Sequence, residues 1–130
     1  MANTDEIKKE LLSQAHTIAI VGLSPDREKA SNIVANYLMA NNYRVVPVNP
    51  GHEEVLGLRS YPSLRDITDK VDIVDIFMRS EKVLPIVIEA VTLKPRAIWL
   101  QLGIIDNEAR DLAESNNILV FMDQCIKQEH

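Results

Sequence analysis

A second cysteine, membrane-length apolar runs and excess positive charge are all missing from this chain. There is one cysteine, Cys125, in 130 residues, so no intrachain disulfide forms and nothing points to an oxidising compartment. No apolar run reaches the roughly 18 residues that a membrane span needs. The first ten residues, MANTDEIKKE, hold no apolar signal core. These absences lead us to expect a cytoplasmic protein without membrane contact. Basic residues number 14 against 19 acidic ones, for a net charge of −5. A nonspecific nucleic-acid binder shows the opposite balance, so no nucleic-acid partner is expected. A local basic patch can still hold one anionic ligand. Catalytic signatures are missing too: there is no G-x-S-x-G elbow, no P-loop and no C-x-x-C.

The remaining composition is that of an ordered globular chain, 46% hydrophobic and 25% charged. Its length suits one compact domain spanning residues 1–130. Ile7, Leu11, Leu12 and Ala15 lie at helical spacing, with Asn3 or Thr4 as the cap. Thr17 to Val21 is a continuous apolar, β-branched run stopped by Gly22. Such runs mark strands covered on both faces, as in parallel sheets. Ser31 is expected to cap a helix reaching Asn41–Asn42. Arg44 to Val48 reads as a second strand, ended by the turn Asn49-Pro50-Gly51. A short strand near Ser60–Tyr61 and a helical turn over 63–67 follow. Val71 to Phe77 reads as a buried strand, and Ser80 as the cap of a helix over 81–93 that contains Pro85 near its start. Ala97–Leu100 and Ile118–Met122 read as strands flanking a helix over 106–116, and the tail 126–130 as polar and exposed. Alternating apolar strands and helices predict an α/β fold, a doubly wound three-layer sandwich on a mainly parallel sheet of five or six strands.

The unusual residues gather after the strands. Gly22-Leu23-Ser24, Asn49-Pro50-Gly51, Phe77-Met78-Arg79, Gln101-Leu102-Gly103 and Asp123 with Cys125 all follow predicted strands. A parallel sheet places them together at its carboxyl edge, where open α/β sheets bind ligands. The first of these loops meets G-x-G-x-x-G only at Gly22; Ser24 and Arg27 stand in the other two places. Gly22 still allows a tight turn, and amides opening the next helix still suit a phosphate. Arg27 and Lys29 add cations, and Ser24 and Ser31 add hydroxyls. The second strand ends in Asn49, where an NAD enzyme commonly offers an acidic residue to the ribose. A dinucleotide reading is thereby weakened. Of the three histidines, His16 lies before the first strand, His130 is the last residue, and His52 sits in a turn with Glu53 and Glu54 whose neighbours do not converge as metal ligands do. Cys125 reads as a buried core residue, and Trp99 and Tyr37 as core or interlayer residues.

Six segments in order carry a family resemblance: IAIVGLSPDREKAS (18–31), YRVVPVNP (43–50), GLRSYPSLRDI (57–67), VDIVDIFMRSE (71–81), AIWLQLGI (97–104) and VFMDQCIKQEH (120–130). The chain resembles the small stand-alone CoA-binding proteins, whose fold is like the N-terminal CoA-binding domain of the succinyl-CoA synthetase alpha subunit. The resemblance implies a Rossmann-like domain holding coenzyme A or an acyl-CoA. By position, Gly22, Leu23, Ser24 and Pro25 would cradle the phosphate-bearing part, with Arg27, Lys29 and Ser31 near its anionic groups. Asn49 and Pro50 would border the nucleotide, Phe77 and Arg79 would flank it, and Gln101, Leu102 and Gly103 would close the site. Relatives often carry a basic residue where this chain has Met78 and Arg where it has Gln124, and both changes lower the positive charge. The synthetase's phosphorylated histidine belongs to a separate domain, so the expectation is a non-catalytic binding module with no metal. The alternative is an NAD(H)- or other nucleotide-binding regulator or small oxidoreductase. No protein partner is identifiable.

Overall fold

The computed structural model describes residues 4–130. Five parallel strands form the main sheet: β1 (Thr17–Val21), β2 (Arg44–Val48), β5 (Ile73–Ile76), β6 (Ala97–Leu100) and β7 (Leu119–Phe121), in the spatial order β2-β1-β5-β6-β7. A separate two-stranded hairpin, β3 (Glu54–Val55) with β4 (Leu58–Arg59), stands beside β2. The helices are α1 (Thr4–Gln14), α2 (Ala30–Ala40), α3 (Val83–Thr92), α4 (Asn107–Ser115) and α5 (Ile126–Glu129). The fold is a Rossmann-like three-layer α/β sandwich. Asn3, one of the two expected caps of α1, lies outside the described residues.

The alternation of strand side chains builds two cores. Ile18, Ile20, Ile73 and Trp99 face one side and pack on Leu11, Leu12, Val34, Leu38 and Ile126 from α1, α2 and α5. Ala19, Val21, Val74 and Ile98 face the other and pack on Val83, Val87, Ala109 and Ala113 from α3 and α4. Every residue of β1, β5 and β6 is buried, the condition that a continuous apolar strand records. β2 is an edge strand and contains Pro47. Proline cannot donate to a ladder but suits an edge, and its carbonyl accepts from the Tyr61 amide at 3.0 Å.

Several boundaries differ from the sequence reading for identifiable reasons. The strand expected at Ser60–Tyr61 is only one parallel bridge, Val48 to Tyr61. The pairing lies just upstream, in the hairpin. Helix α2 starts from Lys29 as its N-cap residue, not Ser31. Ser31 lies inside the first turn, buried, and its hydroxyl serves the preceding loop instead. Residues Ser80–Lys82 form a 3-10 turn, and α3 proper begins at Val83. This places Pro85 in the first turn of α3, where no intrahelical N–H bond is missed. A continuous α-helix from Glu81 would have needed that bond. The tail is not free: Ile126 is fully buried and α5 closes over the first core. Lys8 of α1 pairs with Glu129 at 2.5 Å, and Tyr37 meets His130 Nδ1 at 2.7 Å.

A candidate ligand crevice at the carboxyl edge

The strand order reverses direction at β1, whose neighbours are β2 on one side and β5 on the other. The loops leaving β1 and β5 therefore diverge around a crevice. Gly22 turns the chain out of β1. It has φ +83°, donates its amide to the Val48 carbonyl at 2.9 Å, and abuts the end of β5. A Cβ at this position would stand 2.5 Å from the Phe77 carbonyl oxygen and 3.3 Å from the Met78 sulfur. Glycine is thus required twice, for its backbone angle and for the close approach.

The loop beyond Gly22 is fixed by its own hydrogen bonds. The Ser24 amide donates to Ser31 Oγ at 3.0 Å, and Asn32 Nδ2 donates to the Ser24 carbonyl at 2.9 Å. Ser24 Oγ accepts from the Asp26 amide. Asn49 ties the second loop to the first: its Nδ2 donates to the Leu23 carbonyl at 2.9 Å, and its Oδ1 accepts from Gly51. These bonds preform the crevice wall at the start of α2. The amides of Ala30 and Ser31 open that helix, beyond reach of any intrahelical acceptor, and the helix dipole favours an anion there. Pro25, Arg27 and Lys29 are exposed around it. Neither cation forms an ion pair with a carboxylate among the described residues.

Phe77 and Met78 form a ridge between two clefts. One, about 400 Å³, is lined by Gly22, Asn49, Pro50, Ser63, Phe77 and Met78 among others. The other, about 390 Å³, is bounded by Val34, Phe77, Arg79, Gln101, Leu102 and Cys125. A wider, more polar hollow continues from the first cleft past Pro50 to Arg59. Ala30, at the start of α2, lines the second cleft, whereas Ser24, Pro25, Arg27 and Lys29 line neither.

The residues named from sequence divide by what they present here. Gly22, Asn49, Pro50, Phe77, Arg79, Gln101 and Leu102 line the clefts. Leu23 is wholly buried and packs in the core, offering only its carbonyl to Asn49. Ser31 is buried, and the Gln101 Oε1 accepts from the Ile126 amide, so both brace the site. Gly103 has φ +80° and donates to Asp123 Oδ1 at 2.6 Å. It stabilises the β6 loop and lines neither cleft. Cys125, read as a buried core residue, is half-buried on a cleft wall instead, because the chain turns there into α5. Pro62, Ser63 and Glu89 also line the first cleft, and no sequence motif joins the segment after the hairpin and α3 to the sheet edge. Among the described residues, no group of three or more histidine, cysteine or acidic side chains could hold a metal ion. No helix among them is long and apolar enough to cross a membrane.

Fold and crevice define a Rossmann-like α/β domain. A model of the family described as "CoA binding domain" matches residues 16–130. The chain belongs to that family. It is 34% identical to YneT of Bacillus subtilis over 122 residues, covering 94% of this chain and 90% of that one. A protein from Pyrococcus horikoshii of known structure is 37% identical, with a TM-score of 0.95 over 99% of this chain and 91% of its own. An ADP-forming acetate–CoA ligase of Methanocaldococcus jannaschii is 25% identical over 124 residues, 88% of this chain but only 18% of the ligase. The chain thus spans about a fifth of the ligase.

Proposed function

We propose that this protein binds coenzyme A, free or acylated, as a non-catalytic module of the cytoplasm. The observation that carries the reading is the carboxyl-edge crevice itself. It has a glycine turn that brings β1 against β5, two unpaired cations beside the start of α2, and an apolar path on both sides of Phe77. Coenzyme A has a matching division, with phosphates at one end and a long uncharged arm at the other. Membership of the CoA-binding domain family supports the same ligand. Asn49 supports it over NAD: its amide is engaged with Leu23 and Gly51, and it offers no charged acceptor to a ribose diol. The single free cysteine agrees with a reducing compartment. The purified protein should yield coenzyme A or an acyl-CoA when denatured and its extract analysed by mass spectrometry. An extract containing NAD and no CoA species would overturn the reading.

A further inference from the structure

Two aspartates of β5 and its approach meet opposite fates. Asp72, at the amino edge, is buried, but its Oδ2 accepts the amides of His16 and Thr17 at 2.9 and 3.0 Å. Burial pushes its carboxyl up, yet those two bonds, with Lys70 and Arg96 nearby, outweigh it and hold the group below the ordinary range. Asp75 has no such support. It is fully buried, and neither carboxylate oxygen has a hydrogen-bond partner. In the ladder it stands between Ile20 of β1 and Trp99 of β6, on the sheet face covered by α1, α2 and α5. Unscreened ionisation in such surroundings is among the costliest states a side chain can adopt.

We propose that Asp75 is a proton lock: the native fold holds its carboxyl as the neutral acid at neutral pH, and losing that proton weakens the attachment of the α1, α2 and α5 layer to the sheet. The groups on that side that could oppose this are already engaged elsewhere or face outward. On α1, Lys8 pairs with Glu129 of α5. Tyr37 of α2 bonds His130, and the Tyr43 hydroxyl before β2 donates to the Leu12 carbonyl. Lys127 of α5 lies over the Tyr37 ring, and Cys125 is on the cleft wall. Burial alone acts on Asp75, and it drives the carboxyl well above the usual range. The sign follows from linkage. The unfolded chain releases this proton near the ordinary value of 3.8, while the folded chain keeps it, so stability is lost as pH rises above that value toward the folded pKa.

The lock does not depend on which ligand the crevice takes. Urea midpoints of the wild type and Asp75→Asn should be measured between pH 4 and 8. The wild-type midpoint should fall with pH relative to that of the variant, which lacks the titrating group. Infrared spectra of the folded wild type at pH 7 should also show the carbonyl stretch of a protonated carboxylic acid, lost on unfolding. Midpoints that run parallel over the whole range would overturn the proposal. Should Asp75→Asn fail to fold, the infrared band decides alone: its absence from the folded wild type refutes a neutral Asp75.

Discussion

Replacing Gly22 with alanine tests the turn on which the crevice depends. The residue sits at φ +83°, and its Cβ would meet the Phe77 carbonyl at 2.5 Å. Two costs follow. A left-handed backbone angle costs a residue with a Cβ roughly 1–2 kcal/mol. Forcing an atom against main chain of the neighbouring strand end adds roughly 1–3 kcal/mol, because the obstacle is backbone and cannot change rotamer. The expected loss is therefore about 2–5 kcal/mol. At about 4 °C per kcal/mol for a domain of this size, the melting temperature drops by about 8–20 °C. Gly57→Ala is the internal control: φ there is +74°, but nothing lies within 4 Å of the added carbon. It should show the angular cost alone. Urea denaturation of the two variants separates the terms, the excess at Gly22 reporting the contact with Phe77. Equal losses at the two positions would refute the close-approach argument, and a loss below about 0.5 kcal/mol at Gly22 would refute both. Gly22→Val, bulkier and β-branched, should abolish coenzyme A binding wherever the protein still folds by circular dichroism.

Replacing Arg27 and Lys29 together by alanine should weaken coenzyme A binding by roughly 30-fold or more at low salt, from about 1 kcal/mol or more per charge-assisted contact. It should also flatten the salt dependence of the titration, and unchanged affinity would move the phosphates elsewhere. Asp72→Ala leaves the buried Thr17 amide without its acceptor and should cost about 1–3 kcal/mol at pH 7, the penalty of one orphaned donor, since the more exposed His16 amide can turn to water. Because the carboxyl of Asp72 is held low, its contribution is present above the ordinary aspartate value and is lost as pH falls through the folded one. Urea midpoints between pH 2 and 5 should show a steeper acid loss in the wild type than in the variant.

The strands and the carboxyl-edge loops were legible because parallel sheets leave strong marks. Thr17–Val21 and Ala97–Leu100 are buried on both faces, and Gly22 and Asn49 end their strands where the backbone turns. The missed features depend on contacts distant in sequence. Cys125 looks like any small apolar residue until α5 turns it toward a cleft, and the burial of Ile126 appears only when the tail closes over α1 and α2. Ser31 looked like a cap because its type suits one. Its hydroxyl instead secures Ser24, seven residues earlier, and Lys29 takes the cap position. Ser63 and Glu89 meet across 26 residues, with no periodic signal to join them. VDIVDIF carries two acidic residues, and nothing in the sequence separates the supported Asp72 from Asp75. The pairing of Asp75 with Ile20 and Trp99 is what shows it to be unsupported.

Titration calorimetry of the purified protein, freed of any bound ligand by refolding, with coenzyme A and then with NAD, bears most directly on the ligand assignment. Coenzyme A should bind saturably with one site per chain, and NAD at the same concentration should give weaker heat or none. At a coenzyme A concentration 100-fold above its dissociation constant, the folded state should gain about 2.7 kcal/mol by mass action. Saturable binding of NAD together with no binding of coenzyme A would contradict the assignment of the crevice.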